Sequence, residues 1–377
     1  MSAALQAVFW VAAGLLVYAQ VGYALLLAAL AATRRPLPPS TAIEAVPPVS
    51  LIVAAYREEA EIAAKIADVR RLQYPPDRLE VIVCCDGCDD ATAQRAREAG
   101  ADRVLELPRT GKTGAQNAGA REARGEVLAF SDANSRWRPA ALRELVAPFA
   151  DPQVGYVCGR LELLDQRGNN QEGLYWRYET ALRALESRLA SVTAGNGAIY
   201  ATRREAYVEL DPSSSHDLAF PFTMVKHGWR AVFSPAAIAM ETTLPTIEGE
   251  FARKRRMMRR GWPIVLRGGM LSPRGYGPLY AVMIASHRVL RYVTPFLHLA
   301  ALATNVALVV TGAGLVYVVT LGAQLALLAA AALAGVLPRR PLLVARYYVV
   351  TTASVAAGLW DWLRRGRLPG WESERSG

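Results

Sequence analysis

An apolar run, Val127-Leu128-Ala129-Phe130, leads directly into Ser131-Asp132-Ala133-Asn134-Ser135. Oxygen-bearing side chains at positions 132 and 134, at a strand end, suit a divalent cation, because Mg2+ and Mn2+ take oxygen ligands. A cation there can sit against a diphosphate. Asp and Asn also mark ordinary turns, so the triplet alone leaves both readings open. Two more apolar runs end in the same way. Residues 49–54 run into Tyr56-Arg57-Glu58-Glu59, and residues 79–85 run into Asp86-Gly87-Cys88-Asp89-Asp90. In a parallel sheet these ends share one edge, which is where α/β proteins bind ligands. Random loops seldom place carboxylates at all three.

The elements that must position these groups are legible as an alternation. Helical patterning covers about 56–72, stopped by Tyr74-Pro75-Pro76, then about 90–99 and 113–124. Between these lie the apolar runs and a short strand at 104–107. The pattern predicts an α/β fold with a doubly wound, mostly parallel sheet. Two other nucleotide folds are excluded. The first turn reads Ala-Ala-Tyr-Arg-Glu-Glu and lacks the glycines of a dinucleotide site. Gly111-Lys112-Thr113 lacks the P-loop glycine, since Glu106 stands at that position.

The chain has 377 residues, of which 52% are hydrophobic and 20% charged. That average hides a division: residues 33–292 read as soluble, and both ends are apolar. Residues 7–32 carry no charge and are long enough to cross a bilayer core of roughly 30 Å. A retained membrane helix is expected over a cleaved signal peptide: there is no basic leader, the apolar run is too long, and Arg34-Arg35 follow it. Residues 293–312 and 313–336 are two more apolar stretches, and 342–360 is a fourth, with Arg346 inside it. The net charge of +10 reads as positive-inside placement at a membrane rather than as nucleic-acid binding. Arg34-Arg35, the Arg-rich stretch 253–267 and Arg339-Arg340 place the central domain in the cytoplasm, at the plasma (inner) membrane. A full fourth crossing would put Arg364, Arg365 and Arg367 outside, against that rule. An interfacial or re-entrant fourth segment therefore stays open. The four cysteines, with one C-x-x-C at Cys85–Cys88 and no second pair, point to a reduced compartment rather than a zinc site.

The expected division is a membrane helix at 1–33, a catalytic domain at 48–245, basic and amphipathic interfacial helices at 246–292, membrane helices at 293–361 and a basic tail at 362–377.

The ordered set Val49-to-Glu59, Asp86-Gly87-Cys88-Asp89-Asp90, Gly111-to-Asn117, Ser131-to-Asn134, Gly195-Asn196-Gly197-Ala198 and Asp217-Leu218, then Lys226-to-Arg230, resembles family 2 glycosyltransferases with a GT-A fold. The flanking apolar helices are similar to the membrane-bound, synthase-like branch. The resemblance implies roles. Tyr56, Glu58, Asp86, Lys112 and Asp132 would bind the nucleotide-sugar donor, uridine-linked in expectation. Asp132 and Asn134 would hold Mg2+ or Mn2+, with Asn in place of the family's second Asp. Asp217 would be the catalytic base, and His216 stands where an acidic residue is common. That histidine is either a satisfied loop residue or a modulator of Asp217. Gly195, Asn196 and Gly197, together with Arg256, Arg259, Arg260 and Trp262, would lie near the acceptor or diphosphate. Arg256-x-x-Arg259 keeps the spacing of the synthase Gln-x-x-Arg-Trp motif without its glutamine, and the tryptophan comes two residues late. Trp176, Tyr175 and Tyr178 are either groove or packing residues. The implied activity is inverting transfer to a glycan or lipid-linked acceptor. Processive polysaccharide synthesis is one form of it, and single transfer to a polyprenyl-phosphate carrier is another. A non-catalytic membrane sensor or scaffold is the reading of another class, and a transporter is a third, for which three or four helices make a thin pore unless the chain oligomerises.

Overall fold

Val49, Leu51, Ile52 and Val53 are almost entirely out of water, as the middle strand of a sheet covered on both faces demands. The computed structural model describes residues 2–33, 46–164, 174–242 and 247–366. In chain order, helix α1 (Ser2–Val17) continues through a π turn into α2 (Tyr23–Ala32). Strand β1 (Val49–Ala55), α3 (Ile62–Arg70), β2 (Leu79–Asp86), α4 (Thr92–Glu98), β3 (Arg103–Leu107), α5 (Lys112–Glu122) and β4 (Val127–Asp132) follow in strict alternation. Next come β5 (Arg136–Trp137), α6 (Ala141–Val146), β6 (Val154–Leu164), α7 (Leu174–Leu189), β7 (Ile199–Arg203), α8 (His216–Lys226) and β8 (Arg230–Thr242). The chain closes with α9 (Ile247–Arg267), α10 (Pro278–Met283), α11 (Leu290–Val310), α12 (Leu315–Leu333) and α13 (Arg340–Arg365).

These elements form two units. The sheet-bearing unit holds Leu27–Leu244 and Arg267–Ala281. Its strands run β3-β2-β1-β4-β7-β6-β8-β5. The first four are mutually parallel, and β7 joins β4 antiparallel. The order reverses at β1: the chain first steps outward to β2 and β3, then returns to lay β4 on the other side. That is the switch point at which an α/β sheet opens a crevice. Both flanking strands end there in register, Ala54 opposite Asp132. Two apolar cores cover the faces. One, packed by α3, α4 and α6, centres on Leu51, Val53, Val81 and Leu142. The other, packed by α5 and α8, centres on Ile52, Phe130, Tyr200 and Phe220. The first helix is shorter than its sequence pattern: residues 56–61 turn instead, with Arg57 at φ 54°, a left-handed conformation uncommon outside glycine.

The helical unit holds Met1–Leu26, Pro245–Leu266 and Val282–Arg367. Across the chain, four helical stretches are long and apolar enough to cross a membrane: Ala3–Ala32, Pro278–Val310, Leu315–Leu333 and Arg340–Arg365. They expose large apolar side chains such as Val11, Val310, Leu315 and Val319, which suits lipid better than water. Phe9 and Ala12 of α1 pack with Ala301 and Leu308 of α11 and with Tyr317 of α12. The expected boundary at 292 falls inside a continuous helical stretch. The backbone is helical from Pro278 through a π turn at Ile284–Val289 to Val310, and His287 and Arg288 are buried. Arg346 reaches towards the end of α12, where a Cβ on Gly335 would lie 2.7 Å from its Nη1. The charge inside the fourth apolar stretch therefore sits near a helix end, where such side chains snorkel. Arg34-Arg35 lie outside the described residues, as does Arg367.

Candidate functional site

Asp86 ends β2 with its side chain fully buried. Its Oδ1 accepts the Thr110 and Gly111 backbone N–H groups at 2.6 and 3.0 Å, and its Oδ2 accepts Gly111 N–H at 2.9 Å. A carboxylate so held is a loop anchor. Asp86, expected at the donor, fixes the turn that starts α5. Arg109, in that turn, lies 3.4 Å from Asp86 Oδ2 and stacks 3.1 Å above the Tyr56 ring. One guanidinium thus joins the ends of β1 and β2. Beside it Arg57 forms a two-pronged pair with Asp89 at 2.8 and 2.6 Å. Both partners are exposed, so the pair adds little stability. Glu58 is half-buried and its N–H meets the Thr92 hydroxyl at 2.9 Å.

Lys112, the first residue of α5, forms an ion pair with Asp132 at the end of β4. Gly197 comes against both: an added Cβ would sit 2.9 Å from Lys112 Nζ and 3.9 Å from Asp132 Oδ2. Asn196 is buried, donates to Gly159 O and accepts Ile199 N–H at 3.0 Å, so it shapes this turn. Gly195 N–H donates to the Asp217 backbone carbonyl at 2.7 Å. Contacts and short chain links therefore run from Tyr56 through Arg109 and Asp86 to Gly111, along the chain to Lys112 and its partner Asp132, across to Gly197, and back along the chain through Asn196 to Gly195, which bonds the Asp217 backbone. The three strand ends lie on one edge of the parallel strands, as their spacing predicted, and the α8 start is joined to that edge through Gly195.

Asp217 lies in the first turn of α8, where a carboxylate is favoured by the helix dipole. Its Oδ1 accepts the Ser215 hydroxyl and, at 3.0 Å, Leu218 N–H. His216 points the other way. It is buried against Phe130, Tyr200 and Phe220, and its Nδ1 meets the Thr113 hydroxyl at 3.2 Å. Thr113 donates its own proton to Ser214 O at 2.7 Å, so Nδ1 carries the imidazole hydrogen. Burial, with the Lys112 charge adding, pushes its pKa down to about 3. It is a neutral core ring. Burial holds the Tyr200 hydroxyl well above its ordinary range, and the charges of both Asp132 and Asp217 add to this.

Oxygen donors for a cation are the Asp132 carboxylate and the exposed Asn134 amide. Among the described residues no cluster of three or more His, Cys, Asp or Glu offers a complete cage. The donor set suits a hard cation that takes its other ligands from a diphosphate and water. All four cysteines are free.

In the helical unit, α9 departs from expectation. Trp262 is buried, donates its Nε1–H to Val355 O at 2.9 Å and packs edge-on to Tyr292 at 4.9 Å. It is a packing residue, with no face left for a sugar. Arg259 donates to the carbonyls of Arg365 and Gly366, and so caps the end of α13. Arg255 grips Asp361 at 2.6 and 2.7 Å. Arg256 is exposed, and Arg260 is half-buried. Trp176 and Tyr178 are half-buried on α7, and the Tyr175 side chain lies outside the described residues.

Sequence reasoning missed Lys65 and Arg109. Lys65 is fully buried and donates to Ser135 O at 2.8 Å. Burial lowers its pKa to about 7. Its signal was present: Lys65 shares the apolar stripe of Ile62, Ile66 and Val69.

A family model described as glycosyltransferase like family 2 matches residues 47–260. The chain is 26% identical over 241 residues to the probable glycosyltransferase YdaM of Bacillus subtilis (strain 168), covering 59% of this chain and 57% of that one. It is 31% identical over 207 residues to the beta-monoglucosyldiacylglycerol synthase of Synechocystis sp., covering 50% and 42%. The chain thus spans about half the length of these curated relatives. Its fold is similar to that of the mannosyltransferase PcManGT of Pyrobaculum calidifontis, solved with GDP-Man and Mn2+, with a TM-score of 0.75 at 22% identity over 95% of this chain and 99% of that one. The fold is GT-A. The family match covers more than half of the sequence and holds every strand-end group in the contact path, and the chain belongs to glycosyltransferase like family 2.

Proposed function

We propose that the chain is a membrane-anchored inverting glycosyltransferase, moving a sugar from a nucleotide-sugar donor, uridine-linked in expectation, to a lipid-linked acceptor or growing glycan. The observation that carries this reading is the contact path linking the Lys112–Asp132 pair to Asp217 through Gly197 and Gly195. It supports a reading in which groups suited to a diphosphate work together with a carboxylate suited to a proton. Tyr56 and Glu58 stand at the nucleotide end. Lys112 offsets charge on the departing diphosphate. Asp132 and Asn134 would hold Mg2+ or Mn2+, which when bound supplies further charge neutralisation at the leaving group.

Asp217 takes the proton of the acceptor hydroxyl as its oxygen bonds to the anomeric carbon. The bond from that carbon to the diphosphate breaks, and the electron pair leaves with the nucleoside diphosphate. One displacement from the opposite face inverts the centre. Gly195, holding the Asp217 backbone, keeps the base in register. The apolar helices favour a lipid acceptor, and the diacylglycerol synthase relative supports the same choice. They also support residence in the inner membrane with the sheet-bearing unit in the cytoplasm.

The purified chain in detergent, offered a panel of nucleotide sugars with lipid and saccharide acceptors, is expected to release one nucleoside diphosphate per sugar moved. A single added sugar supports lipid transfer, and a ladder supports polymerisation. No turnover of any donor would refute the activity.

A further inference from the structure

Three side chains of the α3 segment grip one short stretch of chain. Glu61, Lys65 and Asp68 are spaced i, i+4 and i+7 and so share a helix face. Glu61 Oε2 accepts Arg136 Nη2 at 2.9 Å. Lys65 Nζ donates to Ser135 O at 2.8 Å. Asp68 Oδ2 accepts Trp137 N–H at 2.9 Å. The stretch they hold, residues 135–137, follows directly on Asp132-Ala133-Asn134. Within that turn, Ser135 Oγ donates to Asp132 O at 3.1 Å and Arg136 Nη1 to Ala133 O at 3.2 Å. The turn is therefore tied at its base, and its outer face is left to Asp132 and Asn134.

Lys65 is the unusual member. Its side chain is 0% exposed, with Nζ 5.2 Å from the Trp137 ring centroid. Burying an ammonium costs stability, whereas Leu or Met at the same position would pack with Ile62, Ile66 and Val69 at no such cost. The lysine is therefore not there for packing. Among the described residues, the contact that only a donor can make is the Ser135 carbonyl, one residue beyond Asn134. Asp132 and Asp68 are among the charges that favour its ammonium, and Arg136 opposes it.

We propose that Lys65 is a positioning residue for the Asp132–Asn134 turn, holding its base so that both side chains face the diphosphate and its cation. This rests on the glycosyltransferase reading, with a cation at Asp132 and Asn134. Lys65 touches no substrate and acts through the turn.

The test uses the full chain in detergent, with Mn2+ and UDP as probes and free Mn2+ read by electron paramagnetic resonance, so that no turnover is needed. Lys65→Met is expected to weaken Mn2+ binding in the presence of UDP about tenfold, while the Tm is unchanged or higher. In assays the donor KM rises by a similar factor and the acceptor KM does not. Ile66→Ala, which damages packing on the same helix without touching the turn, lowers the Tm and leaves Mn2+ affinity at the parental value. Lys65→Gln restores a neutral donor and recovers part of the loss, and Lys65→Leu takes the place of Lys65→Met if the latter does not fold. Parental Mn2+ affinity in both Lys65 variants overturns the inference, as does an equal loss in Ile66→Ala. A parent that binds Mn2+ and UDP but moves no sugar strikes the proposed activity and leaves this inference standing. A parent that binds neither strikes both.

Discussion

Replacing Gly195 with alanine drives a methyl group onto the Tyr156 hydroxyl. The added Cβ overlaps that oxygen and lies 3.0 Å from Tyr156 Cζ and 3.4 Å from Cys158 Cβ. Tyr156 has nowhere to go: it is 1% exposed, with its ring 5.7 Å from Tyr200 and 5.8 Å from Phe220. Overpacking of this kind costs about 1–3 kcal/mol. For a domain of ~200 residues each kcal/mol is worth about 2–4 °C, so a fall in Tm on the order of 5 °C is expected. Because Gly195 N–H holds the Asp217 carbonyl at 2.7 Å, the displaced backbone carries the proposed base with it, and kcat should fall at least ~10-fold. Tyr156→Phe removes the clashing oxygen. That oxygen is buried with no hydrogen-bond partner among the described residues, so its loss alone is nearly neutral. The double variant should recover more than half of the Tm loss, a coupling of about 1 kcal/mol. Thermal unfolding in detergent and release of nucleoside diphosphate read both effects. A Gly195→Ala chain as stable and active as the parent, or no recovery in the double variant, refutes the packing argument.

His216→Leu tests the neutral core ring. The folded pKa of about 3 lies below the ordinary 6.5, so only the unfolded chain gains the proton between those values. Stability therefore falls as pH drops through that window, by ~2 kcal/mol at pH 5, and the leucine variant should lose this dependence in Tm measured from pH 7 to 4. An unchanged acid limb would put His216 in water. Asn134→Asp adds a carboxylate to the proposed cation site and should tighten Mn2+ binding about 3- to 10-fold by paramagnetic resonance. No change would remove position 134 from a cation site.

The alternation of strand and helix was legible because buried parallel strands are continuous apolar runs ended by polar turns, and β1, β2 and β4 stop where those turns begin. The convergence of the strand ends followed from parallel topology alone. What each carboxylate does there did not. Asp86 and Asp132 end strands in the same way, yet one is sealed behind backbone N–H groups and the other faces an ammonium. That difference is set by the 109–112 turn, whose path depends on Tyr56 and Asp86 together. What the α9 residues pack against was hidden for a similar reason. An Arg- and Trp-bearing amphipathic helix reads alike whether it meets lipid, sugar or another helix, and here α13 takes up Arg255, Arg259 and Trp262. Lys65 was overlooked because a lysine in an apolar stripe is ordinarily snorkelled to water. Only the fold brings Ser135 over it.

Asp217→Asn bears most directly on the central claim, that one carboxylate at the start of α8 deprotonates the acceptor beside a diphosphate held by Lys112 and Asp132. The amide keeps the size and the Oδ1 contacts of the side chain and loses the basic oxygen pair. Sugar transfer, measured with the best donor of the panel, is expected to fall by about 10²–10⁴-fold while UDP and Mn2+ bind as in the parent. Transfer at the parental rate would remove Asp217 from the chemistry and contradict the account.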